Sequence, residues 1–318
     1  MTHRNPRSDV PAGGAGRGSG ARKPVAVGLL LTALLGGGWG LPSMLQLSLL
    51  DELGISEGSG VQVALPRGLE EISGLATTPD GRLLAHDDER AVVYEVDPRN
   101  GTIVKSFRVG LRGLPGDFEG IAVAGSRIFL VTSQGELLEF REGEAGSSVR
   151  YRIHRTGVGR LCEVEGLAWD EARNCLLLPC KTVRTRDFRG HLVVLGVDAS
   201  TLEVHPVPRV FIPLGDLKDA GLDDEFHPSA VEVHPTSGHL LLASARNEAL
   251  LELSPGGSLL AGRELSKKDH PQTEGLALLP AGGLVLADEG RGGPGRLTRY
   301  GPNPGASPER RRSGGSLP

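Results

Sequence analysis

The stretch Asp117-Phe118-Glu119-Gly120-Ile121-Ala122 decides the fold, because its core returns along the chain. An acidic or hydroxyl residue, then Gly, an aliphatic residue and Ala recur as Ser73-Gly74-Leu75-Ala76, Glu119-Gly120-Ile121-Ala122, Glu165-Gly166-Leu167-Ala168 and Glu274-Gly275-Leu276-Ala277. A degenerate copy reads Ser229-Ala230-Val231-Glu232. The copies start 46, 46, 64 and 45 residues apart (119−73, 165−119, 229−165, 274−229). A period of this size marks a repeat architecture.

Each copy opens a unit of short alternating segments separated by turn residues. The first unit runs Ile72–Thr77, Arg82–His86, Ala91–Asp97 and Thr102–Val109, with turns at Pro79-Asp80-Gly81 and Pro98–Gly101. The second, third and fourth follow the same plan, with extra polar loops at Thr182–Gly190 and Pro213–Phe226. The fifth has Gly275–Leu279, Gly283–Ala287 and Leu297–Tyr300 and lacks a fourth strand. A lone β-prone segment, Val61–Leu65, precedes the first unit without a hairpin partner. The expectation is an all-β fold: a five-bladed β-propeller of four-stranded blades over residues 60–302, closed by the N-terminal strand. The longest gap leaves only 18 extra residues (64−46), too few for a sixth blade.

Composition agrees. The chain has 47 glycines and only 4% aromatics, which suits many short strands and turns. A net charge of −4, with basic residues gathered at the two ends, gives no field for nucleic acid. Of the three cysteines, Cys162 and Cys180 fall nearly opposite each other if 163–169 and 174–180 form a hairpin. That allows a disulfide; three small buried hydrophobes, Cys175 included, is the other reading.

Residues 1–23 are basic and rich in Gly, Ser and Pro, and read as disordered, as does the tail at 303–318. From Pro24 to Leu50 there is no charged residue, followed at once by Asp51 and Glu52. This reads as a transmembrane signal anchor at 24–50 that places the rest of the chain on the extracytoplasmic side, with 51–59 as a linker. A cleaved signal peptide is the competing reading.

In a propeller the residue before each innermost strand lies on the channel rim, and the second strand returns to the same rim. The inner set is then Ser73, with Glu71 two residues before it, Glu119, Glu165, Ser229 and Glu274. The outer set includes Asp87, Asp88, Lys181, Arg246, Asp288 and Glu289. Glutamates on one ring repel unless a cation neutralises them, and all-oxygen donors suit calcium. Glu119, Glu165, Glu274, Glu71 and Asp88 are the candidate metal ligands. Ser73, Ser229, Lys181, Arg246, Asp288 and Glu289 are the candidate ligand-binding residues. Lys181 and Arg246 offer the alternatives of neutralising the glutamates without metal or holding an anion. His86 and His227 fall on the rim and are candidate bases.

The runs Glu71-Ile72-Ser73-Gly74-Leu75, Asp117-Phe118-Glu119-Gly120-Ile121-Ala122, Glu163-Val164-Glu165-Gly166-Leu167-Ala168 and Gln272-Thr273-Glu274-Gly275-Leu276-Ala277 resemble the SdiA-regulated (YjiK-like) proteins. The likeness extends to Ser237-Gly238-His239-Leu240-Leu241-Leu242 and Ala287-Asp288-Glu289-Gly290, over residues 62–300. It implies a five-bladed propeller on an N-terminal membrane anchor, facing away from the cytoplasm, with bound calcium. Two functions compete. One is a module that binds a small molecule, glycan or protein. The other is a calcium-dependent phosphoesterase or lactonase at the channel mouth, with a rim carboxylate or His86 as base.

Overall fold

Among the described residues twenty-one strands form five sheets around one axis, antiparallel except for one two-residue edge strand, and a twenty-second, Val61–Ala64, returns from the N-terminal side to complete the last sheet. The computed structural model describes residues 48–280 and 282–301. The expected disordered ends and most of the expected anchor fall outside these residues. Among the described residues no helix is long and apolar enough to cross a membrane.

The first blade is Ile72–Thr77, Leu83–Asp87, Val92–Val96 and Ile103–Val109. The second is Phe118–Ala124, Arg127–Thr132, Glu136–Phe140 and Tyr151–Arg155. The fourth is Ala230–Val233, Leu240–Ser244, Ala249–Leu253 and Leu259–Glu264. The fifth has Thr273–Leu278, Leu284–Asp288 and Arg296–Tyr300, and Val61–Ala64 pairs with the last of these in the register Val61↔Arg299. The closure read from the orphan segment is therefore present. A short strand that the sequence did not reveal, Ser148–Val149, adds in parallel to the outer edge of the first blade.

The third blade departs most from the repeat. Its inner strand is split into Cys162–Val164 and Ala168–Asp170, because Gly166 takes φ +110° and the intervening Glu165-Gly166-Leu167 leaves the ladder. Glu165 still donates its N–H to Pro179 O at 3.1 Å. Cys162 and Cys180 form a disulfide with Cα atoms 5.5 Å apart, while Cys175 is free and buried. The bridge is diagonal rather than directly cross-strand, since Cys180 pairs with Val164. The outer strand is short, Val210–Pro213. Pro206 and Pro208 have no N–H to give a ladder, and only Val204 makes an isolated bridge, to Val197.

Apolar side chains fill the spaces between adjacent blades. One cluster corrects the linker expected at 51–59. A four-residue helix, Leu49–Glu52, is capped by Ser48, and Leu50, Leu53 and Ile55 are buried against Leu241, Leu250, Leu276 and Leu286 of the fourth and fifth blades. Leu50, expected at the end of the membrane segment, is thus part of the propeller core. Its own hydrophobicity explains both readings: a leucine-rich run serves a core as well as a bilayer.

The motif glycines explain themselves at the axis. A Cβ on Gly120 would lie 2.6 Å from the Gly166 carbonyl carbon and 2.9 Å from its Cα. One on Gly166 would lie 3.1 Å from Ala230 Cα, and one on Gly275 would lie 3.4 Å from the Gly74 carbonyl carbon. The innermost strands touch backbone to backbone at Gly74, Gly120, Gly166, Ala230 and Gly275. This neck leaves only about 10 Å³ of free space. It divides the channel into two mouths, one on the side where the inner strands begin and one where they end.

Candidate functional site

The mouth where the inner strands begin gathers the rim carboxylates. Glu165 accepts a hydrogen bond from Lys181 Nζ at 2.6 Å, and its second oxygen is buried without a partner. Burial raises the Glu165 carboxyl above its ordinary value, against the pull of the Lys181 charge. Glu119 and Glu274 approach the same centre from the second and fifth blades. Burial pushes Glu119 up to about 9, and the nearby Glu165 and Asp117 charges add to this. Burial and the Glu165 charge push Glu274 up to about 8. Burial alone would lower the Lys181 pKa, but the Glu165 hydrogen bond together with the charges of Glu165, Glu274 and Glu119 raises it. Three carboxyls and one ammonium carry a net −2 if all ionise, so protons on Glu119 and Glu274 are the natural neutralisation at pH 7.

A pocket of about 280 Å³ opens beside this cluster and is lined by Glu165, Lys181, His227, Arg246, Gln272 and Glu274, among others. His227 is held by Lys181 O at 3.0 Å from Nδ1 and by Asn247 Oδ1 at 2.9 Å from its backbone N–H. Arg246 is exposed and makes no ion pair among the described residues.

A second acidic group lies across the rim. Glu71, Asp88 and Glu289 act on one another electrostatically; burial and Glu71 raise Asp88, while burial, Asp88 and Glu71 raise Glu289. The expected five metal ligands are therefore divided between two groups. Among the described residues no three His, Cys, Asp or Glu side chains converge on a point that could hold a metal ion. The donor chemistry suits calcium, and in this arrangement Lys181 Nζ lies 2.6 Å from Glu165 Oε1.

Three expected ligand-binding residues, Asp288, Ser229 and Ser73, are buried, and Ser229 also lines the pocket beside the cluster. Asp288 is fully buried and accepts from Thr273 Oγ1 at 3.0 Å and pairs with His270 Nδ1 at 2.9 Å. Strand alternation turns it inward, while the next residue, Glu289, faces the rim. Ser229 Oγ donates to Thr273 O at 2.6 Å and accepts from Ala245 N at 3.0 Å, tying the fourth blade to the fifth. Ser73 is buried at the neck. His86, a candidate base, is also wholly buried: Nδ1 donates to Asp87 O at 2.9 Å, and burial lowers its pKa to about 4.

Sequence reasoning passed over Glu232. It lies in the opposite mouth, within a cavity of about 390 Å³. Burial pushes its carboxyl up to about 8. The signal was available: Glu232 stands where the other four copies of the motif have Ala76, Ala122, Ala168 and Ala277.

No protein-family model matches the chain, and no curated protein matches it in sequence. Solved structures match in fold. The aldose sugar dehydrogenase of Streptomyces coelicolor, in its PQQ-bound form, is 14% identical, with 76% of this chain and 98% of that chain covered and a TM-score of 0.46. The gluconolactonase XC5397 of Xanthomonas campestris is 15% identical, with 72% of each chain covered and a TM-score of 0.43. The glutaminyl cyclase of Myxococcus xanthus is 14% identical, with 75% of this chain and 93% of that chain covered and a TM-score of 0.50; what this chain shares with it is the β-propeller fold.

Proposed function

We propose that the chain is an extracytoplasmic, membrane-tethered propeller of the SdiA-regulated type that binds a small hydroxyl-rich ligand, of the saccharide class, at the channel rim. The uncharged run at 24–50, between basic and acidic flanks, supports the tether. The shared motifs support the family. One observation carries the ligand: the pocket that holds Glu165, Lys181, Glu274, Gln272 and Arg246 presents donors and acceptors side by side. A neutral carboxyl donates, the Glu165 carboxylate accepts and Lys181 donates, which matches paired hydroxyls that each do both. His86 is sealed beneath the rim, which removes it as a base, while His227 and the carboxyls of Glu165 and Glu274 line the pocket.

Titration calorimetry of the full chain against neutral monosaccharides, uronic acids and sugar phosphates tests this. At least one neutral saccharide should bind saturably, and Lys181→Met should weaken it by about ten-fold, or about 1.4 kcal/mol. No binding across the panel overturns the reading.

Calcium is a second reading, favoured by the net −2 of the cluster and the unpartnered Glu165 oxygen. It requires Lys181 to swing away and the two protons to leave. Millimolar calcium should then raise the melting temperature at pH 9 and leave it unchanged at pH 6. Equal melting with calcium and with chelator at both pH values rules it out.

A further inference from the structure

We propose that the opposite mouth of the channel is a separate binding site for an apolar organic ammonium ion, with Glu232 as its counter-charge and Trp169 as part of its wall. The mouth is ringed by the hairpins that join the first and second strands of each blade, and Pro79, Pro235 and Pro280 stiffen three of them. The enclosed volume of about 390 Å³ falls in the range of small-ligand sites. Ile121, Leu167, Trp169 and Leu278 make its lining chiefly apolar.

The titratable groups lining the cavity are Asp170, Glu171, Glu232 and His234. Asp170 is neutralised within the protein by Arg173 at 3.1 Å and Arg209 at 3.7 Å. Glu171 is exposed at the outer edge. His234 Nδ1 accepts from Ser237 N at 3.1 Å, and burial lowers its pKa, so it supplies no positive charge. Glu232 is left. One oxygen accepts from Val233 N at 2.8 Å, and no basic side chain among the described residues reaches it.

Four blades place a small alanine at this position of the ring and one places a carboxyl. A carboxylate in an apolar cavity costs free energy unless a proton or a cation accompanies it. An alkylammonium supplies the cation and fills the apolar volume with its chain. The half-buried Trp169 indole adds a cation-binding face. Its neutral competitor, an alcohol of the same length, gains only the apolar part. With the Glu232 carboxyl raised to about 8, the empty site is protonated at pH 7, so binding releases that proton.

The test uses the full chain carrying Trp39→Phe, which leaves Trp169 as the single indole. Trp169 emission is followed during titration with n-hexylammonium and with hexan-1-ol at pH 9. The ammonium should bind about ten-fold tighter or better, and Glu232→Gln should bring the two to equal affinity. Calorimetry of the Glu232-containing chain at pH 7 in two buffers of different ionisation enthalpy should show close to one proton released per ammonium bound. This second measurement does not depend on the variant folding. Equal binding of alcohol and ammonium, an ammonium preference that survives in Glu232→Gln, or binding without proton release each overturns the proposal.

Discussion

Replacing Gly120 by alanine should lower the melting temperature by roughly 6–12 °C, the shift expected for about 3 kcal/mol in a domain of this size. The added Cβ meets backbone of the third blade, not a side-chain tip that could swing aside. Relief would require the second and third blades to separate at the axis, and every other inner strand is tied into the same ring. Gly120→Val should leave no folded protein. Gly215→Ala is the control, because a Cβ there meets nothing within 4 Å, and its effect should stay within about 0.5 kcal/mol. Thermal melts of the three variants check this. A Gly120→Ala protein that melts within two or so degrees of the parent, on the same scale, would show that the neck can breathe.

The second large effect is a pH profile. Glu119 and Glu274 have folded-state pKa values of about 9 and about 8 against an ordinary 4.5. Between these limits the folded chain holds protons that the unfolded chain has released. The stability contributed by the neutral carboxyls is therefore complete below pH 4.5 and is lost as pH rises through 8 to 9. Each retained proton contributes a slope of about −1.4 kcal/mol per pH unit. Urea midpoints should fall steadily from pH 6 to pH 9, and Glu119→Gln should flatten that fall by up to one proton's worth. The variant should be close to the parent near pH 4.5 and progressively more stable than it as pH rises to 9. Parallel profiles would mean that Glu119 is solvated and ionised throughout.

The architecture was legible because its cause is local and repeated. Turn chemistry at Pro79-Asp80-Gly81 and Pro98–Gly101, alternation within the strands and a returning motif all encode one blade, and the lone Val61–Ala64 encodes the closure. The rim was legible to the extent that position in the repeat equals position in space: Glu119, Glu165, Lys181 and Glu274 do meet. It failed where side-chain direction matters. Asp288 and Glu289 are neighbours in sequence, yet one is buried in the scaffold and the other is on the rim, because successive side chains in a strand point opposite ways. Lys181 was placed in the outer set, and its reach back to Glu165 depends on the interrupted inner strand of the third blade. Glu232 was missed for a different reason. A degenerate copy of a motif reads as a weakened one, whereas here the deviation from alanine is the chemically loaded feature.

The closing strand also decides how the molecule would bear a mechanical load. Val61 faces Arg299, 238 residues away (299−61), and four residue pairs in antiparallel register hold the strand. Tension applied through the N-terminal side reaches the buried Leu50, Leu53 and Ile55 first and then this strand, before any complete blade. The leucine plug and the strand act in series as a fuse. Once both yield, the fifth blade has a bare edge and the ring can unzip, whereas pulling from the loops of the second or third blade meets a closed circle.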